Sequence, residues 1–276
     1  MSDAPFPTLP ADWEPTRAAL HAYSKAIGAL PQVHVPKHEK WWHISLKPLP
    51  IGLVTEPIGL PDGTSVFGRL DLRTHEVVLE SSSGHSLRLD MRDGRTGTEM
   101  TEELIAALAS HGLEGDYVRK DFESNERTSY DEKAASLFWT AVVNAGQTFS
   151  THRAAIGGNV GPVQLWPHGF DLAFEWFGTR TEDYEEHGEM RSLPSQLNLG
   201  FYSAGDAYFY SNPWPFDAGL LESPLPEGAR WATADTDGFE GTVFAYKEVA
   251  DDPHGRERLA AYARAVFDAA SPTLTT

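Results

Sequence analysis

Apolar positions near the start of the chain recur at helical spacing. Leu20, Tyr23, Ile27 and Leu30 follow Asp12, which suits an N-cap, and Pro15, which suits a first turn. The pattern predicts a helix from about Asp12 to Pro31. From Trp41 the period shortens to two: in "KWWHISL" (40–46), Trp42, Ile44 and Leu46 fall on one face of an expected strand and Trp41, His43 and Ser45 on the other. Short runs follow at 52–58, 66–72, 76–81 and 85–91. Turn residues such as Pro61-Asp62-Gly63 and Ser83-Gly84 separate them, so an antiparallel meander is expected. Thr98 or Thr101 is expected to cap a helix through Leu104, Ile105 and Leu108 that closes at Gly112, with a brief strand near Tyr117 and Val118.

The longest predicted helix, about 130–156, starts near Ser129 or Asp131, where Ser129 and Glu132 have capping-box spacing, and stops at Gly157-Gly158. Aromatic strands then return at 161–166, 170–177, 195–202 and 206–211, with a further strand at 242–248 and a closing helix at 256–270. The expected fold is α+β: antiparallel sheets in two β-rich halves, about 9–120 and 160–250, joined by the long helix and packed against helices. The 276 residues read as one domain-sized unit.

Composition narrows the chemistry. Asp and Glu number 40 against 22 Lys and Arg, so the formal charge of −18 repels phosphate backbones and anionic lipid surfaces, and neither nucleic acid nor membrane is expected as a partner. No cysteine is present, which excludes disulfides, thiolate metal sites and cysteine nucleophiles. No apolar run approaches the length of a bilayer span, and the acidic, proline-rich start is unlike a secretory leader, so a cytoplasmic location is expected. The glycine-rich phosphate loops, the HExxH zinc motif and the GxSxG elbow are all missing.

The strongest local candidate for chemistry is "LWPHGFDLAFEWF" (165–177). Pro167 and Gly169 bracket His168 and predict a bend that sets its imidazole at a strand end, beside Trp166. On the following strand Asp171 and Glu175 share a face. Asp171 suits an orienting carboxylate or a base and Glu175 a ligand contact, while the competing reading puts both on a wetted sheet face. His43 reads either as a core histidine beside large rings or, with Trp41, as the wall of an aromatic pocket. Arg153, near the end of the long helix, suits either the helix dipole or an anion contact. His34, His38 and His43 supply a possible metal-ligand set, although their spacing matches no zinc motif.

In order, "WWH" opening a meander, "PVQLWPHGFDLAFEWFGTR" and an aromatic hairpin resemble the bacterial family of unknown function DUF5996, over nearly the whole chain from about Leu9. The match touches Trp41, Trp42, His43, Pro162, Phe170, Asp171, Leu172, Ala173, Gly178 and Arg180. Members often carry Trp-Gly-Ser where this chain has Pro167-His168-Gly169, so His168 departs from the pattern. The resemblance implies a single domain and no particular activity or cofactor.

The functional expectation is a small-molecule pocket between the two aromatic halves. His43, His168 and Asp171 are the catalytic candidates, and Trp41, Arg153, Trp166 and Glu175 the ligand contacts. The alternatives are a binding module with structural histidines and a metal-dependent enzyme using His and carboxylate ligands.

Overall fold

A computed structural model describes residues 4–186 and 188–275, and its class is α+β. In chain order it contains helix α1 (Glu14–His34), strands β1 (Lys47–Leu49), β2 (Gly52–Val54), β3 (Ile58–Gly59), β4 (Ser65–Asp71), β5 (Glu76–Ser81) and β6 (Ser86–Asp90), then helices α2 (Gly97–Ser110) and α3 (Glu132–Ile156). Strands β7 (Asn159–Val160), β8 (Gln164–Trp166), β9 (Asp171–Glu186), β10 (Glu189–Tyr202), β11 (Tyr208–Ser211), β12 (Pro213–Trp214) and β13 (Ala229–Ala232) follow. Helix α4 (Ala234–Asp237), strand β14 (Gly241–Ala245) and helix α5 (Gly255–Ala270) complete the order. Two compact units divide the chain: one comprises Leu9–Trp139 and Gln164–Asp171, the other Thr140–Val163 with the residues up to Thr8 and from Leu172 onward.

In the first unit the meander forms as expected, an antiparallel sheet in the order β1-β2-β4-β5-β6 with β3 also on β4. Helix α1 covers it, because Leu20, Tyr23, Ile27 and Leu30 make a buried stripe and Ile27 lies against the backbone of Gly68. The helix passes through the expected stop at Pro31, whose ring is buried, and ends at His34. There Val35 turns extended, the conformation that the following Pro36 favours. Helix α2 starts earlier than predicted: Thr96 caps it, its hydroxyl accepting from Glu99 N–H at 3.1 Å while the Glu99 carboxylate accepts from Thr96 N–H at 2.9 Å. The strand expected near Tyr117 is instead a loop followed by a single 3₁₀ turn at Arg119–Asp121. Asp131 opens α3, accepting the Ala134 N–H at 2.7 Å.

"KWWHISL" is not a strand. Trp41 takes a left-handed backbone (φ +58°) and Trp42–Ile44 form a 3₁₀ turn. The Trp42 carbonyl receives both the Ser45 hydroxyl at 2.7 Å and Lys47 Nζ at 3.3 Å, so it turns inward where a strand would have spent it on a neighbour. Pairing begins only at Leu46, which exchanges backbone hydrogen bonds with Leu165.

In the second unit the sheet runs β13-β14-β11-β10-β9-β7, with β12 beside β10. Phe174, Phe201, Phe209 and Phe244 are buried in it, and α5 adds Leu259, Tyr262 and Val266 to the core. Strand β9 continues well past Phe177. Beyond that point its side chains are polar, so apolar alternation could not reveal it.

Candidate functional site

The site is built on α1. Gly28 has no side chain, and a Cβ there would lie 2.9 Å from Pro167 Cγ, so the 167–170 turn seats directly on the helix. One helical turn earlier, the Ser24 hydroxyl bonds the His21 carbonyl at 2.7 Å and approaches the Pro167 carbonyl at 3.5 Å, while His21 Nε2 meets the His168 carbonyl at 3.0 Å. Burial pulls the His21 imidazole below the usual histidine range, so it is neutral near pH 7 and donates one ring N–H. Phe170 closes the turn through its N–H to the Trp166 carbonyl (2.8 Å). Its strained left-handed backbone (φ +54°) is offset by a buried ring stacked on His21 and Phe138.

Pinned in this way, the turn leaves the His168 side chain exposed, edge-on to Trp166 at 5.8 Å. His168 lines a cleft of about 370 Å³ together with Lys25, Gly28, Ala29, Gln32, Ile44, Lys120, Asp121 and Pro167, all from the first unit. Gly28, Ala29, Ile44 and Pro167 give it an apolar lining, and Lys25 and Lys120 bring two ammonium groups. Lys25 is half-buried and makes no hydrogen bond or ion pair among the described residues. Gln32 Nε2 donates to Asp121 Oδ2 at 2.9 Å, which leaves that carboxylate facing a neutral amide.

A second cleft, of about 250 Å³, shares Ala29, Gln32 and Asp121 with the first and extends past Val33 to Asp116, Tyr117 and Phe122. Tyr117 Oη lies 2.6 Å from His34 Nε2. Burial raises the phenol to about 12 and lowers the imidazole, so both are neutral near pH 7.

The other candidates fall in different surroundings. His43 is buried, its ring stacked on Trp41 at 5.6 Å, and its Nδ1 receives the backbone N–H of His38 at 3.3 Å. Burial, with His38 and Lys37 nearby, lowers its pKa. Its neighbour Ile44 lines the cleft, whereas His43 itself does not. Trp41 is 45% exposed, with Lys37 Nζ 4.1 Å from its ring centre. Asp171 opens β9 directly after the turn, its carboxylate folded back over Gly169.

Arg153 and Glu175 belong to the second unit, where Arg153 Nε donates to the Gly161 carbonyl at 2.6 Å and the Gly161 N–H to the Glu175 carbonyl at 2.7 Å. His34, His38 and His43 do not converge. His34 meets Tyr117, His38 stacks on Trp42, and among the described residues no three His, Asp or Glu side chains are grouped to hold a metal.

A nucleophile-and-base contact also occurs, with Lys47 Nζ 2.7 Å from Ser45 Oγ. The hydroxyl has no exposed surface and is tied to Gln164 Oε1 at 2.5 Å, so the pair is part of the packing. Lys25, Gln32, Tyr117, Lys120 and Asp121 escaped the sequence reading. The signal that points to two of them is the Lys25–Gly28–Gln32 spacing, one flank of α1 beside its apolar stripe.

Among the described residues no helix is long and apolar enough to cross a membrane. No curated protein and no solved structure matches the chain. The model of one family of unknown function, DUF5996, matches residues 6–275, and the chain belongs to that family.

Proposed function

We propose that the protein binds a small organic anion, a carboxylate on an apolar body, in the cleft beside α1. The observation that carries this reading is Lys25. In a chain of net charge −18, a half-buried ammonium at a cleft wall makes no ion pair among the described residues. A ligand carboxylate gives that ammonium a charge-assisted partner. Lys120 adds a second cation to the lining, while Gly28, Ala29, Ile44 and Pro167 offer an apolar bed. The volume falls within the range of ordinary small-ligand sites.

His168 is the imidazole that lines the cleft, and Asp171 follows it at the start of β9. The commitment of His43 Nδ1 to a backbone N–H favours binding, or catalysis through His168 alone, over a two-histidine relay.

Calorimetric titration with octanoate tests the reading. The wild type is expected to bind, and Lys25→Ala to bind about tenfold more weakly, the worth of one charge-assisted contact. Absence of binding, or an unchanged affinity in Lys25→Ala, overturns it.

A further inference from the structure

We infer that the ligand is a zwitterion, with its acid at Lys25 and an amino group where the same groove runs on past Gln32, between Asp121 at the junction and Asp116 and Tyr117 beyond it. This rests on the reading of the cleft just given. The two clefts meet at Ala29, Gln32 and Asp121 and so form one groove along the second half of α1. Their ends differ in chemistry.

The Lys25 end offers donors: the Lys25 and Lys120 ammonium groups and the His168 ring. From the junction onward the groove offers acceptors. Asp116 makes no hydrogen bond or ion pair among the described residues. The Asp121 carboxylate is met by a neutral amide. The Tyr117 oxygen keeps a lone pair whichever member of the His34–Tyr117 pair donates.

The distance between the ends follows from the helix. From Lys25 to Gln32 is seven residues, about 10 Å of rise. A ligand that satisfies both ends therefore carries its charges roughly that far apart, as an ω-amino acid of eight carbons or an extended peptide of about three residues does. The small residues Gly28 and Ala29 line the helix between the ends and leave room for its body. A ligand with acid and amine on one carbon is too short to use both ends.

The experiment compares octanoate, ω-aminooctanoate, octylamine and glycine by calorimetry on the whole chain. The inference predicts that ω-aminooctanoate binds about tenfold more tightly than either octanoate or octylamine, each of which lacks one charged contact, and that glycine binds far more weakly. Asp116→Asn, a change at an exposed position, is expected to remove most of the advantage that ω-aminooctanoate holds over octanoate. Equal affinity for octanoate and ω-aminooctanoate overturns the inference and leaves the anion site standing. Failure of every carboxylate to bind overturns both. An amine advantage that survives both Asp116→Asn and Asp121→Asn overturns the placement of the amine.

Discussion

His152 on α3 is 9% exposed and packed against Phe174 and Phe267, with centroids at 6.3 and 5.9 Å. Burial, with Arg264 nearby, lowers its pKa to about 4. The folded protein therefore binds fewer protons here than the unfolded chain, so the stabilisation is complete above about pH 6.5 and is lost as the pH falls toward 4. At pH 5.5 a shift from about 6.5 to about 4 corresponds to roughly 1.4 kcal/mol, and solvent at the ring's open edge reduces this to about 1 kcal/mol.

The perturbation is His152→Leu, which keeps an apolar filler and removes the titrating group. Urea unfolding followed by tryptophan fluorescence at pH 8.0 and 5.5 gives the pH-linked loss for each protein. The other histidines whose pKa is lowered by burial (His21, His34, His43 and His75) are present in both proteins and cancel in the difference. The wild type should lose about 1 kcal/mol more than the variant between the two pH values. Equal losses would refute the claim that His152 is held neutral by its surroundings, whatever the baseline stability of the variant.

Three further outcomes follow from packing. Gly28→Ala gains about 1 kcal/mol of helix propensity but drives a methyl into Pro167, so a net loss of roughly 1 kcal/mol is expected in urea unfolding, and a more stable variant contradicts the seating of the turn. In Gly178→Ala the new Cβ falls 2.0 Å from the Leu274 carbonyl oxygen and 2.4 Å from Ser195 Oγ. The Ser271–Leu274 turn must then lift from β9 and β10, at a cost of about 2 kcal/mol and with faster amide exchange there; unchanged exchange rules this contact out. Thr96→Ala removes one half of the capping box and should cost about 1 kcal/mol, read from the unfolding midpoint, whereas Thr98→Ser should cost less.

Much of the fold was legible because burial imposes a period. The α1 stripe, the β4–β5–β6 meander and the aromatic strands around Phe174 and Phe209 each show the alternation that a half-covered element needs. Where side-chain bonding to the backbone competes with that period, the pattern misleads. Ser45 and Lys47 tie the Trp42 carbonyl and turn "KWWHISL" into a 3₁₀ turn, and the burial of Pro31 lets α1 run past it. Of the groups around the cleft, the sequence pointed to His168, because Pro167 and Gly169 frame it. Lys25, Lys120 and Asp121 come together from α1 and from the segment before α3, nearly a hundred residues apart, and no local pattern records that meeting.

The most direct test of the anion site is a crystal structure of the protein soaked in ω-aminooctanoate. The account predicts ligand density along α1, its carboxylate within hydrogen-bond distance of Lys25 Nζ and beside His168. Density elsewhere, or a Lys25 that makes no contact with the bound acid, would contradict it.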